Sequence, residues 1–198
     1  MTETSLQINM NRFHRWYCRS ALWKTALHQR ILPWALDGLD LGEELLEVGP
    51  GPGLTTDILR EPVARLTAIE IDSQLADSLK RRMENTNVTV LEGDATAMPF
   101  EDQNFSGAVS FTMLHHIASP GLQDKLFAEV FRVLKPGGMF AGIDSRSSLL
   151  FRLIHLGDTM VLVEPDTLGK RLEKVGFRDV AINVAANRFR FRARRPEL

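Results

Sequence analysis

At 198 residues, 44% hydrophobic and 25% charged, the sequence reads as one globular domain large enough to bury its own core. A net charge of −1 removes any global electrostatic case for nucleic acid or an anionic membrane surface as partner. The single cysteine, Cys18, excludes an internal disulfide, Met1 to Ser5 lacks the basic and apolar regions of a secretion signal, and no apolar run approaches the ~18 residues that span a bilayer. These features lead us to expect a cytoplasmic protein without a transmembrane segment.

The spacing predicts a helix from Ser5 to Ile31, a stretch free of proline and glycine. Phe13, Trp16, Tyr17, Ser20, Trp23, Leu27 and Ile31 recur at steps of three and four, giving one mostly apolar face. Pro33 is expected to stop this helix, with one short turn from Trp34 to Leu39. The helix packs on the core, covers a substrate site as a lid, or lies on a membrane surface. We place a helical cap over residues 1–40 and the main globular unit over 41–198.

The run Leu45-Leu46-Glu47-Val48-Gly49-Pro50-Gly51-Pro52-Gly53-Leu54-Thr55-Thr56 reads as a buried strand, a glycine-rich turn and the start of a helix. Such turns let a ligand lie against the main chain beside free helical N–H groups, and they open nucleotide sites in doubly wound α/β domains. The dinucleotide pattern G-x-G-x-x-G fails here, because Leu54 or Thr56 stands where its third glycine is due. Glu47 on the strand is expected to point its carboxylate into the mouth of the site. That repels a pyrophosphate and welcomes an ammonium or sulfonium centre, which favours S-adenosylmethionine over NAD.

Two further strands end in acids. Arg65 to Asp72 carries Glu70 on the order of 20 residues past the glycine turn, where a carboxylate accepts from ribose hydroxyls; a plain strand-end charge is the alternative. Asp72 reads as the N-cap of a helix over Ser73 to Met83. Asn87 to Ala95 is the third strand, ending at Asp94, a weak signal alone that gains weight beside Glu47 and Glu70. Phe105 to Phe111 is the fourth, leading into Ser110-Phe111-Thr112-Met113-Leu114-His115-His116-Ile117. Adjacent histidines do not both enter one site from a helix, and nothing nearby completes a metal set. After a helix over Pro120 to Leu134, Lys135-Pro136-Gly137-Gly138 predicts a tight turn into the strand Met139 to Asp144, with Asp144 facing the substrate side. The apolar stretch 147–163 is a greasy pocket wall or ordinary core. A helix over Asp166 to Val175 ends at Gly176, and Phe177 to Ala185 and Phe189 to Arg195 pair as strands. Arg188, Arg190, Arg192 and Arg194 share one face of the last strand, read as a solvated edge or an anion-binding strip.

Taken together, E-x-G-x-G-x-G, the acids at Glu70 and Asp94, Gly93-Asp94-Ala95 and Arg132-Val133-Leu134-Lys135-Pro136-Gly137-Gly138 resemble the class I S-adenosylmethionine-dependent methyltransferases, the ubiquinone-biosynthesis type in particular, over about residues 43–185. The resemblance implies a Rossmann-like, doubly wound α/β fold. Its seven-stranded sheet is mostly parallel with an antiparallel last strand, and an N-terminal helix is added. It implies S-adenosyl-L-methionine as cofactor and S-adenosyl-L-homocysteine as product; the apolar stretch after the fifth strand and the balanced charge favour a small, apolar methyl acceptor over nucleic acid. Carried over residue by residue, Glu47, Gly49, Gly51 and Gly53 hold the methionine end and Glu70 the ribose. Ile71 packs on adenine, Asp94 and Ala95 meet its edge, and Ser110 offers a backbone group. Under the lid reading of the N-terminal helix, Tyr17 and Arg19 would touch the cofactor's carboxylate or the substrate. No catalytic residue and no metal is assigned, although His115, His116 and Asp144 are candidate bases. Phe105-Ser106 departs from the family's Phe-Asp. A non-catalytic adenosylmethionine binder and a nicotinamide-dependent oxidoreductase are the rival readings. Neither the acceptor's identity nor the oligomeric state is legible.

Overall fold

The computed structural model describes residues 20–148, 153 and 160–197. One sheet of seven strands organises it, in the order β3-β2-β1-β4-β5-β7-β6. The strands are β1 (Glu44–Val48), β2 (Arg65–Glu70), β3 (Val88–Glu92), β4 (Phe105–Phe111), β5 (Leu134–Ser145), β6 (Arg178–Val184) and β7 (Arg188–Arg194). The pairs β1–β2, β2–β3, β1–β4 and β4–β5 are parallel, while β7 runs antiparallel to both β5 and β6.

The side-chain alternation of each strand divides the core between two faces. On one face, α5 (Pro120–Val133) and α6 (Pro165–Val175) bury Leu126, Phe127, Val130, Leu168 and Leu172 against Leu46, Ala108, Phe140, Phe189 and Phe191. On the other lie α1 (Ala21–Ala26) and α2 (Leu32–Leu36), whose segment packs Leu27, Ile31, Leu32 and Ala35 on Leu45, Val109, Phe111 and Ile143. Beside them α4 (Ser73–Arg82) covers Ala68 and Val90. The short α3 (Thr56–Leu59) follows the glycine turn.

Four expectations are corrected. The N-terminal helix does not run through Ser20, whose extended backbone (φ −70°, ψ 147°) makes it an N-cap that accepts from Trp23 N at 3.2 Å; the rest of the predicted helix, including Tyr17 and Arg19, lies outside the described residues. Pro33 does not stop the helix. The turn Leu27–Ile31 widens so that Leu32 N bonds Leu27 O, five residues back, and this shift accommodates a residue without an N–H. The Lys135–Gly138 stretch is not a separate turn: α5 gives way to β5 at Leu134, which pairs with Phe105 before an irregularity and resumes at Met139. Gly137, at φ +77°, bends the strand there. Finally, β7 is no edge: it lies between β5 and β6, and Arg190 donates to Trp34 O and stacks on the Trp34 ring, 5.2 Å from its centroid.

Ser106 accounts for the departure at the start of β4. Its hydroxyl accepts from Glu44 N at 2.9 Å and lies 3.0 Å from the Leu41 and Glu44 carbonyls, tying the entry of β1 to that of β4.

Candidate functional site

The carboxyl ends of β1, β2, β3 and β4 enclose an open cleft at the place where the strand order reverses, the expected ligand position in such sheets. The cleft holds about 1130 Å³, its mouth included. Gly49, Gly51 and Gly53 all have positive φ, at +67°, +56° and +79°. A side chain at Gly49 would collide with Met113 and one at Gly53 with Leu79 and Arg82, whereas beside Gly51 the space is open. The middle glycine therefore leaves bare backbone on the cleft.

Arg82, at the end of α4, was not foreseen. Its guanidinium donates to Pro52 O at 2.9 Å and Gly53 O at 3.0 Å, and pairs with Asp57. It clamps the turn from outside. No sequence spacing pointed to it, because the partners lie 25 to 30 residues away.

Glu47 is a correction. Its side chain does not reach the mouth of the cleft: it is 1% exposed and accepts from both Thr55 Oγ1 and, at 2.6 Å, Thr56 Oγ1. The carboxyl fastens the start of α3 beneath the turn. Burial raises its pKa to about 7, against the two hydroxyl bonds that lower it.

Glu70 and Asp94 do line the cleft. Glu70 accepts from Gly51 N at 2.9 Å and Asp72 N at 3.0 Å, so the end of β2 is bonded to the glycine turn; burial pushes its pKa up. Ile71 and Ala95 line the same cavity, and Asp94 accepts from Thr96 N at 2.8 Å. Asp72 caps α4 through Gln74 N and Leu75 N, as the sequence implied. Trp23 and Leu27 reach the cleft from the N-terminal segment, and Phe111, Thr112, Met113, His116, Ile117 and Ala118 from beyond β4.

Two further expectations change. Ser110 is fully buried within β4 and does not line the cleft; the wall is made by Phe111 to Met113 instead. Asp144 does not face the substrate side: it is 0% exposed and accepts from His115 N at 3.1 Å and Ser145 N at 2.6 Å, with His115 Nδ1 at 2.5 Å. A carboxylate enclosed in that way needs those donors, and they turn it inward. His115 is drawn to Asp144, which leaves His116 alone of the pair on the cleft. Of the apolar stretch 147–163, Leu153 and 160–163 are hydrophobic positions described here. Leu153 is exposed, Val163 is buried in the core, and none of them lines the cleft; Leu149, Leu150, Phe151, Ile154 and Leu156 lie outside the described residues.

The site fits an adenosyl ligand on the chain's own terms: bare glycine backbone at Gly51, carboxylates at the ends of β2 and β3, and an apolar floor at Ile71 and Ala95. Among the described residues no group of three His, Cys, Asp or Glu side chains is arranged to hold a metal ion, and no helix is long and apolar enough to cross a membrane.

Residues 46–142 match the family described as Methyltransferase domain. The chain is 29% identical over 118 residues to a demethylmenaquinone methyltransferase of Clavibacter sepedonicus, covering 59% of this chain and 44% of that protein. It is 37% identical over 78 residues to a probable ribosomal RNA small subunit methyltransferase A of Thermococcus sibiricus, covering 39% of this chain and 28% of that one. Its fold is similar to that of a SAM-dependent methyltransferase from Aquifex aeolicus, with a TM-score of 0.73, 19% identity, and coverage of 94% of this chain and 100% of the other. Residues 46–142 therefore form a methyltransferase domain, in a fold shared with S-adenosylmethionine-dependent methyltransferases. Its aligned part spans less than half the length of these curated relatives.

Proposed function

We propose that the protein transfers a methyl group from S-adenosyl-L-methionine to a small, apolar acceptor in the cytoplasm. The observation that carries this reading is the convergence of the Gly49–Gly53 turn, Glu70 and Asp94 on one cleft. The cofactor, when bound, supplies a methyl group already activated on a sulfonium. The chain's own task is to bind and align. Glu70 takes the ribose hydroxyls, Ile71 packs on the adenine, and Asp94 with the Ala95 N–H meets the adenine edge. Gly51 lets the methionine part lie against the main chain, while Glu47 acts from below by fastening Thr55 and Thr56. Residues 20–40, the described part of the cap on the unit 41–198, contribute Trp23 and Leu27 to the cleft wall.

Substrates named for the relatives range from demethylmenaquinone to ribosomal RNA, so the acceptor class has to be argued from this cleft. Trp23, Leu27, Phe111, Met113 and Ile117 supply its apolar wall, and among the described lining residues there is no lysine or arginine to meet a phosphate backbone. That composition favours an uncharged, apolar small molecule.

Calorimetric titration with S-adenosylmethionine, S-adenosylhomocysteine and NAD tests the cofactor. The first two should bind and NAD should not; NAD binding alone would overturn the assignment. In the double variant Glu70→Ala, Asp94→Ala, affinity for S-adenosylhomocysteine should fall at least ~100-fold, about 2.7 kcal/mol, with the circular dichroism unchanged. Incubation with phenols, quinols, fatty acids and sterols, followed by mass spectrometry, tests the transfer. Cofactor binding with no methylated product from that panel would favour a non-catalytic binder.

A further inference from the structure

Four ionisable side chains line the cleft among the described residues: Glu70, Asp72, Asp94 and His116. The three carboxylates stand at the ends of β2 and β3, each already accepting or capping backbone N–H groups. His116 alone comes from the opposite wall, beyond β4, among Phe111, Thr112, Met113, Ile117 and Ala118. It is the one nitrogen base on the described lining, and it is 4% exposed.

What lies behind that ring is a fixed polar assembly. The short turn Leu114–His116 follows β4, with His116 N bonded to Met113 O at 2.8 Å. The His115 ring lies 4.2 Å from the His116 ring, centroid to centroid, at 43°. His115 is itself held by Asp144 at both its backbone N and its Nδ1, and its carbonyl accepts from Val161 N at 2.8 Å. Gln123, fully buried, donates to Leu114 O at 3.2 Å and Val161 O at 2.9 Å. A buried carboxylate and a buried amide are costly unless fully satisfied, and here both brace the turn that presents one imidazole to the cleft.

We propose that His116 accepts the proton of the methyl acceptor's nucleophilic O–H or N–H, and that His115 and Asp144 are the positioning pair that holds its ring. The acceptor's X–H bond breaks, its proton forms a new N–H bond on the imidazole, and the released electron pair stays on the acceptor atom as its nucleophilic pair. An apolar acceptor in this cleft therefore carries a hydroxyl or amine that needs deprotonation, a narrower class than the functional reading it rests on. The groups that act on the charge of His116 are His115 and Asp144 behind it, and Glu70, Asp72 and Asp94 across the cleft. Every one of these carboxylates, when ionised, favours the imidazolium.

The test uses the full chain with histidine labelled at Cε1 and S-adenosylhomocysteine as the probe. The chain has five histidines, and the His116 signal is assigned by its loss in His116→Gln, or in His116→Asn should the first variant fold poorly. The His116 signal should shift on adding S-adenosylhomocysteine and then titrate within roughly pH 5 to 8. Asp144→Asn should move that midpoint down, because a negative charge behind the ring is lost. With an acceptor in hand, His116→Gln should lower kcat about 100-fold while leaving S-adenosylhomocysteine affinity within about threefold. A His116 signal that ignores bound S-adenosylhomocysteine, or stays neutral across that range, refutes the proposal and leaves the methyltransferase reading standing. Absence of any S-adenosylhomocysteine binding removes both.

Discussion

Glu47 leaves a strand whose neighbours Leu45, Leu46 and Val48 are all buried, and two threonine hydroxyls replace the water its carboxylate loses. Desolvation dominates, so the folded protein holds this proton up to about pH 7, while an unfolded glutamate releases it near the ordinary value of 4.5. The sign follows from linkage: the stability that the protonated form contributes is complete below 4.5 and is lost as pH climbs through 7. Its size is on the order of 3 kcal/mol, and Glu70, raised in the same direction by burial, adds to it. Urea unfolding of Glu47→Gln, whose amide can accept from one hydroxyl and donate to the other, should show a flatter stability profile than the native protein between about pH 4.5 and 7. Parallel profiles would mean that Glu47 is ionised throughout.

Among the elements, α4 braces the glycine turn from outside. Gly53 sits against Leu79 and Arg82, and the Arg82 fork reaches two carbonyls of the turn together with Asp57 on α3. A planar guanidinium can do this and an ammonium cannot. Arg82→Ala should therefore weaken S-adenosylhomocysteine binding about tenfold, or ~1.4 kcal/mol, and Arg82→Lys should recover only part of it. Unchanged calorimetric affinity in Arg82→Ala would show that the turn is rigid without its clamp. Arg82 does not itself line the cleft, so its influence runs through the backbone conformation of Pro52 and Gly53.

For the whole molecule, the N-terminal segment is both a wall of the cleft and a layer of the core. Leu27 is 2% exposed, packs in the cluster with Leu45, Val109, Phe111 and Ile143, and also lines the cleft. A cap that merely closed over substrate could be truncated at little cost to the fold; this one should not be. Leu27→Ala is expected to destabilise the protein by about 3 kcal/mol and to lower Tm by roughly 6–12 °C in a chain of this size. A Tm within a degree or two of the native value, measured by calorimetric scanning, would show the segment to be loosely docked.

The order of strands and helices, the glycine turn, the acids at Glu70 and Asp94, and the Asp72 and Gly176 caps are all legible along the chain. The turn and caps are local matters of φ freedom and hydrogen bonding between near neighbours, while the two acids are read from the regular spacing of strand ends. Long-range packing sets which side of the β1 floor Glu47 occupies, that Arg82 grips a turn some 29 residues away, and that β7 lies inside the sheet. It also separated His115 from His116. Two adjacent imidazoles are equivalent in a one-dimensional reading, and a buried Asp144 drawn from 29 residues away takes one of them inward and leaves the other on the cleft. The dividing line is physical: short-range sterics and capping act along the chain, whereas desolvation and charge pairing depend on what the fold brings together across it.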